Sequence, residues 1–222
     1  MTTRQLVIFG AGAIAELAFL YFKKHTDYQI RAFTVDIEFL KEPEFCSLPV
    51  VPFETITGQF PPDQFDVFIA LSYANINAAR KEKYLQCKAL GYRLASYISP
   101  LAHILTDEPI GENAFILEGN VVQPRVKIGD NVVLWSGNHI GHHSTIHSHT
   151  FIASHAVISG GVQIGEQCFI GVNATLRDHI KVGERCVIGA GALLLKDADP
   201  DGVYISTATD RSCVPSSRLR GI

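Results

Sequence analysis

Histidine is concentrated in one short part of the sequence. Six of the nine histidines fall between residues 139 and 155, and imidazole is the side chain best suited to act as a general base near neutral pH. The pair His142-His143 is followed eighteen residues later by the pair Gly160-Gly161. An imidazole next to backbone without side chains suits base-assisted acyl transfer, which also needs N–H donors for the developing oxyanion.

The segment that must position these residues has a period of six. Sixteen positions spaced six residues apart are all aliphatic, without an insertion. They are Ile104, Ile110, Ile116, Val122, Ile128, Leu134, Ile140, Ile146, Ile152, Ile158, Ile164, Ile170, Leu176, Val182, Ile188 and Leu194. Neither the period of an α-helix nor that of an alternating strand gives this spacing. A parallel β-helix does, because each hexad supplies one short strand and one corner.

Three hexads make one turn of a triangular prism, so residues eighteen apart stack with a spacing of about 4.8 Å. The repeat therefore predicts about five coils. His142 and His143, at the third and fourth positions of their hexad, are expected at an outward corner with Gly160 one coil above.

Stacking also gives plain structural explanations for other polar residues. Cys168 and Cys186 are eighteen apart at inward positions and predict a ladder of reduced thiols rather than a redox pair. Asn120 and Asn138 predict a buried amide ladder, although Asn138 lies close to the histidine cluster. The other histidines of the cluster are interpreted as polar corner or subunit-interface residues.

A zinc site is the competing chemistry. His103 and His139 are thirty-six residues apart, as are His143 and His179, and trimeric β-helix carbonic anhydrases use two histidines at about this spacing. The third ligand that those enzymes place a few residues further on is missing, so we expect no metal.

The first hundred residues are organised differently. The patterns predict strands at 5–9, 30–35, 65–71 and 93–98 and helices at 16–25 and 75–90. The first turn reads Gly10-Ala-Gly12-Ala-Ile-Ala15, and Asp36 follows the second strand. This G-x-G-x-x-A pattern in a βαβ unit favours a nucleotide site, with a plain glycine-rich turn as the alternative. The length suits a single nucleotide portion rather than a whole dinucleotide.

The composition limits the possible partners and compartments. A net charge of −3 over 222 residues argues against nucleic acid or an anionic membrane as the partner. The apolar run 6–22 is too short to span a membrane, so we expect a cytoplasmic protein without a targeting segment. Five cysteines without a C-x-x-C pair predict reduced thiols.

A βαβ unit with this glycine turn, followed by an unbroken hexapeptide repeat, resembles the bacterial sugar acyltransferases that include bacillosamine and perosamine N-acetyltransferases and sialic-acid O-acetyltransferase. The resemblance implies a left-handed β-helix, a homotrimer, acetyl-CoA between two subunits, and a nucleotide-sugar under the N-terminal domain. It implies that His142 is the base and that the Gly160 N–H meets the acetyl carbonyl. It further implies CoA contacts from Gly160, Gly161 and Lys196, and nucleotide contacts from Gly10, Gly12, Asp36, Ser72 and Tyr73.

Three positions depart from that family. Its members often carry Gly-Gly-His in the first turn, where this chain has Ala13-Ile14, and a second histidine where it has Phe151. They usually have Asp or Glu after the catalytic histidine, where this chain has His143. The partner of the imidazole must then come from elsewhere, or is replaced by Asn138 or water.

The sequence thus predicts a Rossmann-like α/β domain with a parallel sheet at 1–99, a left-handed β-helix at 100–200 and a C-terminal tail at 201–222. The expected activity is transfer of an acetyl group from acetyl-CoA to the amine of a nucleotide-linked 4-amino-4,6-dideoxy sugar, in surface polysaccharide or glycan synthesis. The catalytic group is expected to comprise His142, Gly160, Asn138 and His143. The alternatives are a sugar O-acetyltransferase of the sialic-acid type and a non-catalytic trimer that binds a nucleotide-sugar.

Overall fold

The computed structural model describes residues 4–218, which form an α/β region followed by a parallel β-helix. The α/β region consists of β1 (Gln5–Phe9), α1 (Ala13–His25), β2 (Gln29–Val35), β3 (Glu44–Phe45), β4 (Leu48–Pro52), α2 (Ile56–Gln59), β5 (Phe65–Ile69), α3 (Ala78–Ala89) and β6 (Arg93–Leu94). Short 3-10 turns lie at Ile37–Phe39 and Phe53–Thr55. The sheet order is β3-β4-β2-β1-β5-β6, with only β3 antiparallel to its neighbour.

The predicted βαβ unit is present, with two differences in detail. Helix α1 begins at Ala13 rather than at residue 16, because Gly12 stands at the N-cap with extended backbone. Strand β4 was not predicted from the sequence. It pairs with β2, the strand that Asp36 follows, and adds a further parallel strand to the sheet.

The β-helix has three faces, each a parallel sheet. The first face contains β7 (Tyr97–Ile98), β9 (Phe115–Ile116), β12 (Val133–Leu134), β15 (Phe151–Ile152), β18 (Phe169–Ile170), β21 (Val187–Ile188) and β23 (Val203–Tyr204). The second contains β8 (His103–Ile104), β10 (Val121–Val122), β13 (His139–Ile140), β16 (Val157–Ile158), β19 (Thr175–Leu176) and β22 (Leu193–Leu194). The third contains β11 (Lys127–Ile128), β14 (Thr145–Ile146), β17 (Gln163–Ile164) and β20 (Lys181–Val182).

The predicted offset of eighteen residues is the register of these sheets up to Leu194, whereas the last coil is two residues shorter and pairs Val187 with Val203. For example, Val121 pairs with His139, and His139 with Val157. The periodic aliphatic side chains form one core that fills the prism. The inward Cys168 and Cys186 are free thiols within it, so the ladder predicted for them is confirmed.

The strand predicted at 93–98 divides between the two regions. Arg93–Leu94 pairs with β5 in the α/β sheet, whereas Tyr97–Ile98 pairs with Phe115–Ile116 in the first face of the prism. The β-helix sheet therefore starts slightly before residue 100. At the other end, a 3-10 turn spans Ser216–Arg218, and the last four residues of the predicted tail lie outside the described residues.

The corners of the prism explain much of the unusual composition. With the periodic aliphatic residue counted as the first of each hexad, the fourth residue of every hexad from 113 to 191 has φ between +52° and +78°. Glycine adopts this left-handed region freely, and Asn, Asp and His are enriched there among other residues. His143, His149, His155 and His179 all occupy such corners. Four of the nine histidines thus have a conformational reason to be where they are.

The α/β region lies against the first face. Residues of α1 and of the α/β sheet share one apolar cluster with Phe115, Leu117, Val133, Phe151 and Ala153 of the prism. Helix α3 lies along the neighbouring edge, between the third face and the first. Within residues 4–218, no helix is both long and apolar enough to cross a membrane.

Candidate active site

His142 stands at the edge where the second face turns into the third, between β13 and β14. Its side chain is exposed, and its ring lies flat against Gly160 of the next coil. A Cβ placed on Gly160 would be 2.7 Å from Cε1 and 2.8 Å from Nε2 of His142. Only glycine leaves room for the ring here, and Nε2 is nearer to that Cβ position than Nδ1, which is 3.2 Å from it.

The backbone of Gly160 offers a donor at the same place. Within residues 4–218 its N–H donates no hydrogen bond, whereas its carbonyl accepts one from His179 N at 2.9 Å. The following N–H, of Gly161, is used by His142 O at 2.8 Å. The prism therefore presents one free N–H beside one exposed imidazole, the pair of groups that acyl transfer requires.

His143 is the immediate neighbour of the catalytic candidate. Its Nδ1 lies 3.1 Å from Nδ1 of His142, and the two rings are nearly perpendicular at 85°. The backbone N–H of His142 donates to Gln123 Oε1 at 2.9 Å. These contacts fix the direction of the His142 ring and leave Nε2 on the Gly160 side.

Asn138 lies inside the prism and not beside the exposed His142 ring, so it does not take the place expected for a partner of His142. Its side chain is 1% exposed and is used inside the prism. Its Oδ1 accepts from Ala156 N at 2.8 Å, and its Nδ2 donates to Trp135 O at 2.6 Å. Asn138 is thus a member of the amide ladder, on which its own N–H also donates to Asn120 Oδ1.

Gly161 and Lys196, predicted to meet CoA, lie on the same edge as His142. A Cβ on Gly161 would collide with the His179 ring from the coil above, and its φ is +71°. Lys196 is exposed and lies three coils above His142, at the corner between Leu194 and Ala198, which is two residues shorter than the corners below it. No carboxylate forms an ion pair with it within residues 4–218.

The glycine turn of the α/β region has the geometry of an anion site. Gly10 has φ of +121°, and a Cβ there would be 2.9 Å from Ala70 O. Nothing lies within 4 Å of a Cβ on Gly12, which leaves the first turn of α1 open. The thirteen-residue helix thus presents its N-terminal N–H groups and dipole to solvent.

Asp36 lines a cleft of about 530 Å³ at the carboxyl ends of β1 and β5, where Phe9 and Leu71 also lie. Its carboxylate is paired with Lys83, with Nζ 2.6 Å from Oδ1. The Lys83 ammonium also lies over the rings of Phe9 and Phe53, 5.5 and 5.2 Å from their centroids. Lys83 is a cleft residue that the sequence did not single out, because a lysine on an amphipathic helix ordinarily faces solvent.

Ser72 and Tyr73 follow β5, as predicted, but Tyr73 does not line that cleft. Its ring packs on the first face of the prism, 5.1 Å from Phe151 and 4.8 Å from Phe169 between centroids. The ring is about half exposed. Phe151 itself is buried under the α/β region, which is why it stands where relatives have a polar histidine without disturbing the exposed edge.

The loop after Tyr73 is held in an unusual conformation. Asn75, Ile76 and Asn77 have φ of +51°, +51° and +64° in succession, and this is costly for the β-branched Ile76. The buried Asn77 side chain pins the loop to the prism, since its Nδ2 donates to Cys168 O at 2.9 Å.

Arg80 of α3 also connects the α/β region to the prism, and we call this contact between the two regions the joint. It is fully buried, and its guanidinium donates to Asn131 O, to Asn131 Oδ1 at 2.9 Å and to His149 O at 3.2 Å. A further bond runs to Asn77 Oδ1 at 3.0 Å. Burial without a carboxylate lowers the pKa of Arg80 to about 9. The cation is solvated by backbone and amide oxygens instead of water, and this ties the orientation of the α/β region to the coils.

His149 is also part of this joint. Its Nδ1 lies 2.9 Å from Asn131 Nδ2, and the Tyr84 ring meets it edge-on at 5.3 Å. Burial lowers the pKa of His149 to about 4, while Glu166, 4.0 Å from Nε2, opposes this shift. Glu166 is itself held by Lys81 at 2.5 Å. His149 is therefore a neutral structural residue near neutral pH.

The predicted residues therefore form two separate groups. His142, His143, Gly160, Gly161 and Lys196 share one exposed edge, whereas Asp36 and the glycine turn belong to the α/β region on the first face. The first face is opposite the edge that carries His142. The two groups do not meet within one chain.

The coils that carry this edge are similar to a known family of repeat proteins. The family of bacterial transferase hexapeptide proteins (six repeats) matches at residues 110–142, 126–160 and 161–196. No curated protein matches the whole sequence significantly.

Solved structures give more particular similarities. The acetyltransferase domain of PglB from Neisseria gonorrhoeae is 27% identical, with 90% of this chain and 94% of that chain covered and a TM-score of 0.79. The same domain has been solved with acetyl coenzyme A, at 26% identity and with the same TM-score. PerB from Caulobacter crescentus, in complex with CoA and GDP-perosamine, shares the fold at 20% identity, with 90% and 92% covered and a TM-score of 0.80. The resemblance predicted from the sequence is confirmed.

Proposed function

We propose that this protein transfers the acetyl group of acetyl-CoA to the amine of a nucleotide-linked sugar. Support comes from the edge geometry and from the PglB acetyltransferase domain, which is similar over 90% of this chain and has been solved with acetyl coenzyme A. The acceptor we favour is a 4-amino-4,6-dideoxy hexose used for surface glycan synthesis. The finer fold expectations, a Rossmann-like nucleotide domain and left-handed coils, are part of the proposal.

The observation that carries the proposal is the exposed His142 imidazole beside Gly160, which has no side chain and whose N–H donates no hydrogen bond within residues 4–218. A thioester has a reactive carbonyl carbon and a thiol leaving group. A slender arm can lie beside Gly160, because this residue projects no side chain from the edge, whereas the His179 ring covers Gly161. The geometry thus fits an acyl thioester better than a bulky ligand.

The chain's own groups then have defined roles. His142 Nε2 takes the proton of the attacking amine, while the Gly160 N–H donates to the carbonyl oxygen as negative charge develops there. As the carbon–sulfur bond breaks, the protonated Nε2 returns its proton to the leaving sulfur. The products are an amide and a free thiol, and His142 is neutral again.

We further propose that the active site is shared between subunits of a trimer. The α/β region covers the first face, and His142 is on the opposite edge, so a sugar held at the Asp36 cleft reaches the His142 of a neighbouring chain. The second face, which ends at this edge, carries exposed aliphatic side chains suited to subunit contact. They are Leu105, Val157, Leu193 and Leu195.

A thiol-release assay tests the activity. We expect CoA release from acetyl-CoA with an amino nucleotide-sugar and none with hydroxyl analogues. His142→Ala is expected to lower kcat by about a hundredfold to ten-thousandfold, the usual contribution of a general base, with the thermal midpoint unchanged. His147→Ala is the matched control, because His147 is equally exposed on the third face. Near-normal turnover by His142→Ala would remove this residue from the mechanism, and no release with any acceptor would favour a binding protein.

Mixing of subunits tests the shared site. An inactive His142→Ala chain and a chain defective at the glycine turn, Gly10→Val, are co-refolded at equal amounts. A site shared between chains predicts recovered activity, because some interfaces pair an intact His142 with an intact nucleotide cleft. If the mixture stays as inactive as either variant alone, the site lies within one chain.

A further inference from the structure

We propose that His143 is the positioning residue of the reaction: it accepts the Nδ1 proton of His142 in a hydrogen bond, selects the reactive tautomer and shares the positive charge during transfer. This inference rests on the proposed acyl transfer. It assigns to a neutral imidazole the place at which relatives usually have a carboxylate.

The distance between the rings dictates the tautomers. The two Nδ1 atoms are 3.1 Å apart, and this is a hydrogen bond only if one nitrogen carries a proton and the other does not. If His142 donates, its Nε2 keeps a lone pair on the Gly160 side. If His143 donates, the proton of neutral His142 is on Nε2, and the base is lost. A working base therefore requires His143 to be the acceptor.

The fold holds His143 where it can accept. Its backbone is in the left-handed corner conformation, with φ of +60°, and its N–H donates to Pro124 O at 3.2 Å. Ring and backbone are thus set by the hexad, not by a ligand. The geometry is present before any substrate arrives.

The charged groups nearest to the two rings along this edge are Arg125, Glu108 and Asp178, and none of them forms an ion pair with either ring within residues 4–218. Arg125 occupies the same corner one coil below and points to Glu108, 3.5 Å away. Gly161, which has no side chain, occupies that corner one coil above, and the next coil brings Asp178 and His179, 3.9 Å from each other. Within residues 4–218, no carboxylate forms an ion pair with His142 or His143. The acceptor of His142 is therefore the second imidazole itself.

The proton movements balance through this pair. When Nε2 of His142 takes the proton of the amine, the Nδ1 proton of His142 shifts toward Nδ1 of His143, and the pair carries one positive charge. When Nε2 gives its proton to the sulfur, the shared proton returns to His142. His143 ends each cycle in its starting form and exchanges no proton with the substrates.

The tautomers are measured directly in the resting protein. Two-bond proton–nitrogen NMR spectra of 15N-histidine protein, assigned with His142→Ala and His143→Asn, report which ring nitrogens are protonated. We expect Nδ1 of His142 to carry a proton and Nδ1 of His143 to be bare. A proton on Nδ1 of His143 with a bare Nδ1 on His142 overturns the proposal. This readout is independent of activity, so it stands even if the proposed reaction fails.

Two matched variants separate acceptance from mere structure. Glycine and asparagine both adopt the left-handed corner, so His143→Gly removes the acceptor and His143→Asn replaces it with an amide oxygen. We expect His143→Gly to lower kcat about tenfold to a hundredfold, a fraction of the general-base contribution, with KM unchanged. His143→Asn should retain activity within about threefold, since orientation is kept. Equal activity of both variants with wild type excludes the role.

The pH profile provides the final check. The proposed mechanism starts from a His142 with a lone pair on Nε2, so the charge of the group that accepts its Nδ1 proton should affect the pH dependence of the reaction. His143→Asp keeps an acceptor but adds a negative charge that stabilises the imidazolium of His142. The acid limb of kcat/KM should therefore move to higher pH in this variant and not in His143→Asn. An acid limb at the same pH in all three proteins contradicts the proposal.

Discussion

The β-helix and the α/β region fix their side chains in opposite ways. In the β-helix the contacts recur after eighteen residues as far as Leu194, so a column such as 142, 160 and 178 is defined by arithmetic on the sequence. In the α/β region each contact is made once, as in the pairing of Asp36 with Lys83. Repetition makes the position of a residue predictable, whereas single contacts depend on which distant elements happen to meet.

The two regions should also differ in how strongly they respond to a substitution. On the prism, the neighbouring coil is only a few ångströms away, so a single added methyl group can clash with it. In the α/β region the cleft around Asp36 has a volume of about 530 Å³, so a changed side chain there has space around it. Substitutions that compare the two regions should therefore give graded effects.

The largest effect is expected from Gly160→Ala. Its φ is outside the left-handed region, so the backbone accepts alanine, and the new Cβ meets only the His142 ring. We expect kcat to fall about a hundredfold to a thousandfold, because the methyl group displaces the His142 base while the backbone N–H stays in place, with little change in the thermal midpoint. In Gly171→Ala, by contrast, the Cβ would be 2.5 Å from Ala190 N and 2.7 Å from Gly189 C. That variant should lose stability, and near-normal turnover of Gly160→Ala would show that the edge is less rigid than described.

An intermediate effect is expected where the two regions join. Because the pKa of His149 is lowered from 6.5 to about 4, the unfolded chain binds a proton between these values and the folded chain does not. Stability should fall as the pH drops from 6.5 to 4, in total by about 3 kcal/mol from this residue.

His149→Asn should flatten that pH dependence, since asparagine tolerates the left-handed corner and does not titrate. Urea midpoints at pH 7 and pH 4.5 provide the measurement, and His147→Asn, an exposed neighbour, is the control. If wild type and His149→Asn lose the same stability between the two pH values, the joint does not titrate through His149.

The smallest effect is expected from Asp36→Asn in the cleft of the α/β region. The substitution removes the ion pair with Lys83 and the carboxylate proposed to meet the nucleotide. We expect the nucleotide Kd to rise roughly tenfold, about 1.4 kcal/mol, because an amide keeps one acceptor. Calorimetric titration of the bare nucleoside diphosphate measures it, with the exposed Asp27→Asn as reference. An unchanged Kd would place the nucleotide outside the Asp36 cleft.

The same contrast decides how much was predictable. The hexad period predicted the stacking of His142 under Gly160, the thiol ladder and the amide ladder, because each follows from steps of eighteen residues. It also implied that Asn138, as an inward residue, belongs to the core. What the sequence did not reveal is the joint: nothing local distinguishes the buried Arg80 from a solvated arginine on α3, since its partners lie about fifty to seventy residues away.

The regular stacking of the coils also fixes distances along the axis of the prism. Each coil raises the chain by one strand spacing, so the coils of His142 and Lys196, which are three apart, are separated by about 14 Å along the axis. Distances between stacked residues along the axis are thus multiples of the strand spacing. Removal of one eighteen-residue coil between Gly160 and Lys196 would shorten that span by about 4.8 Å while leaving every column aligned. The number of repeats between the two residues therefore determines how long a ligand must be to contact both.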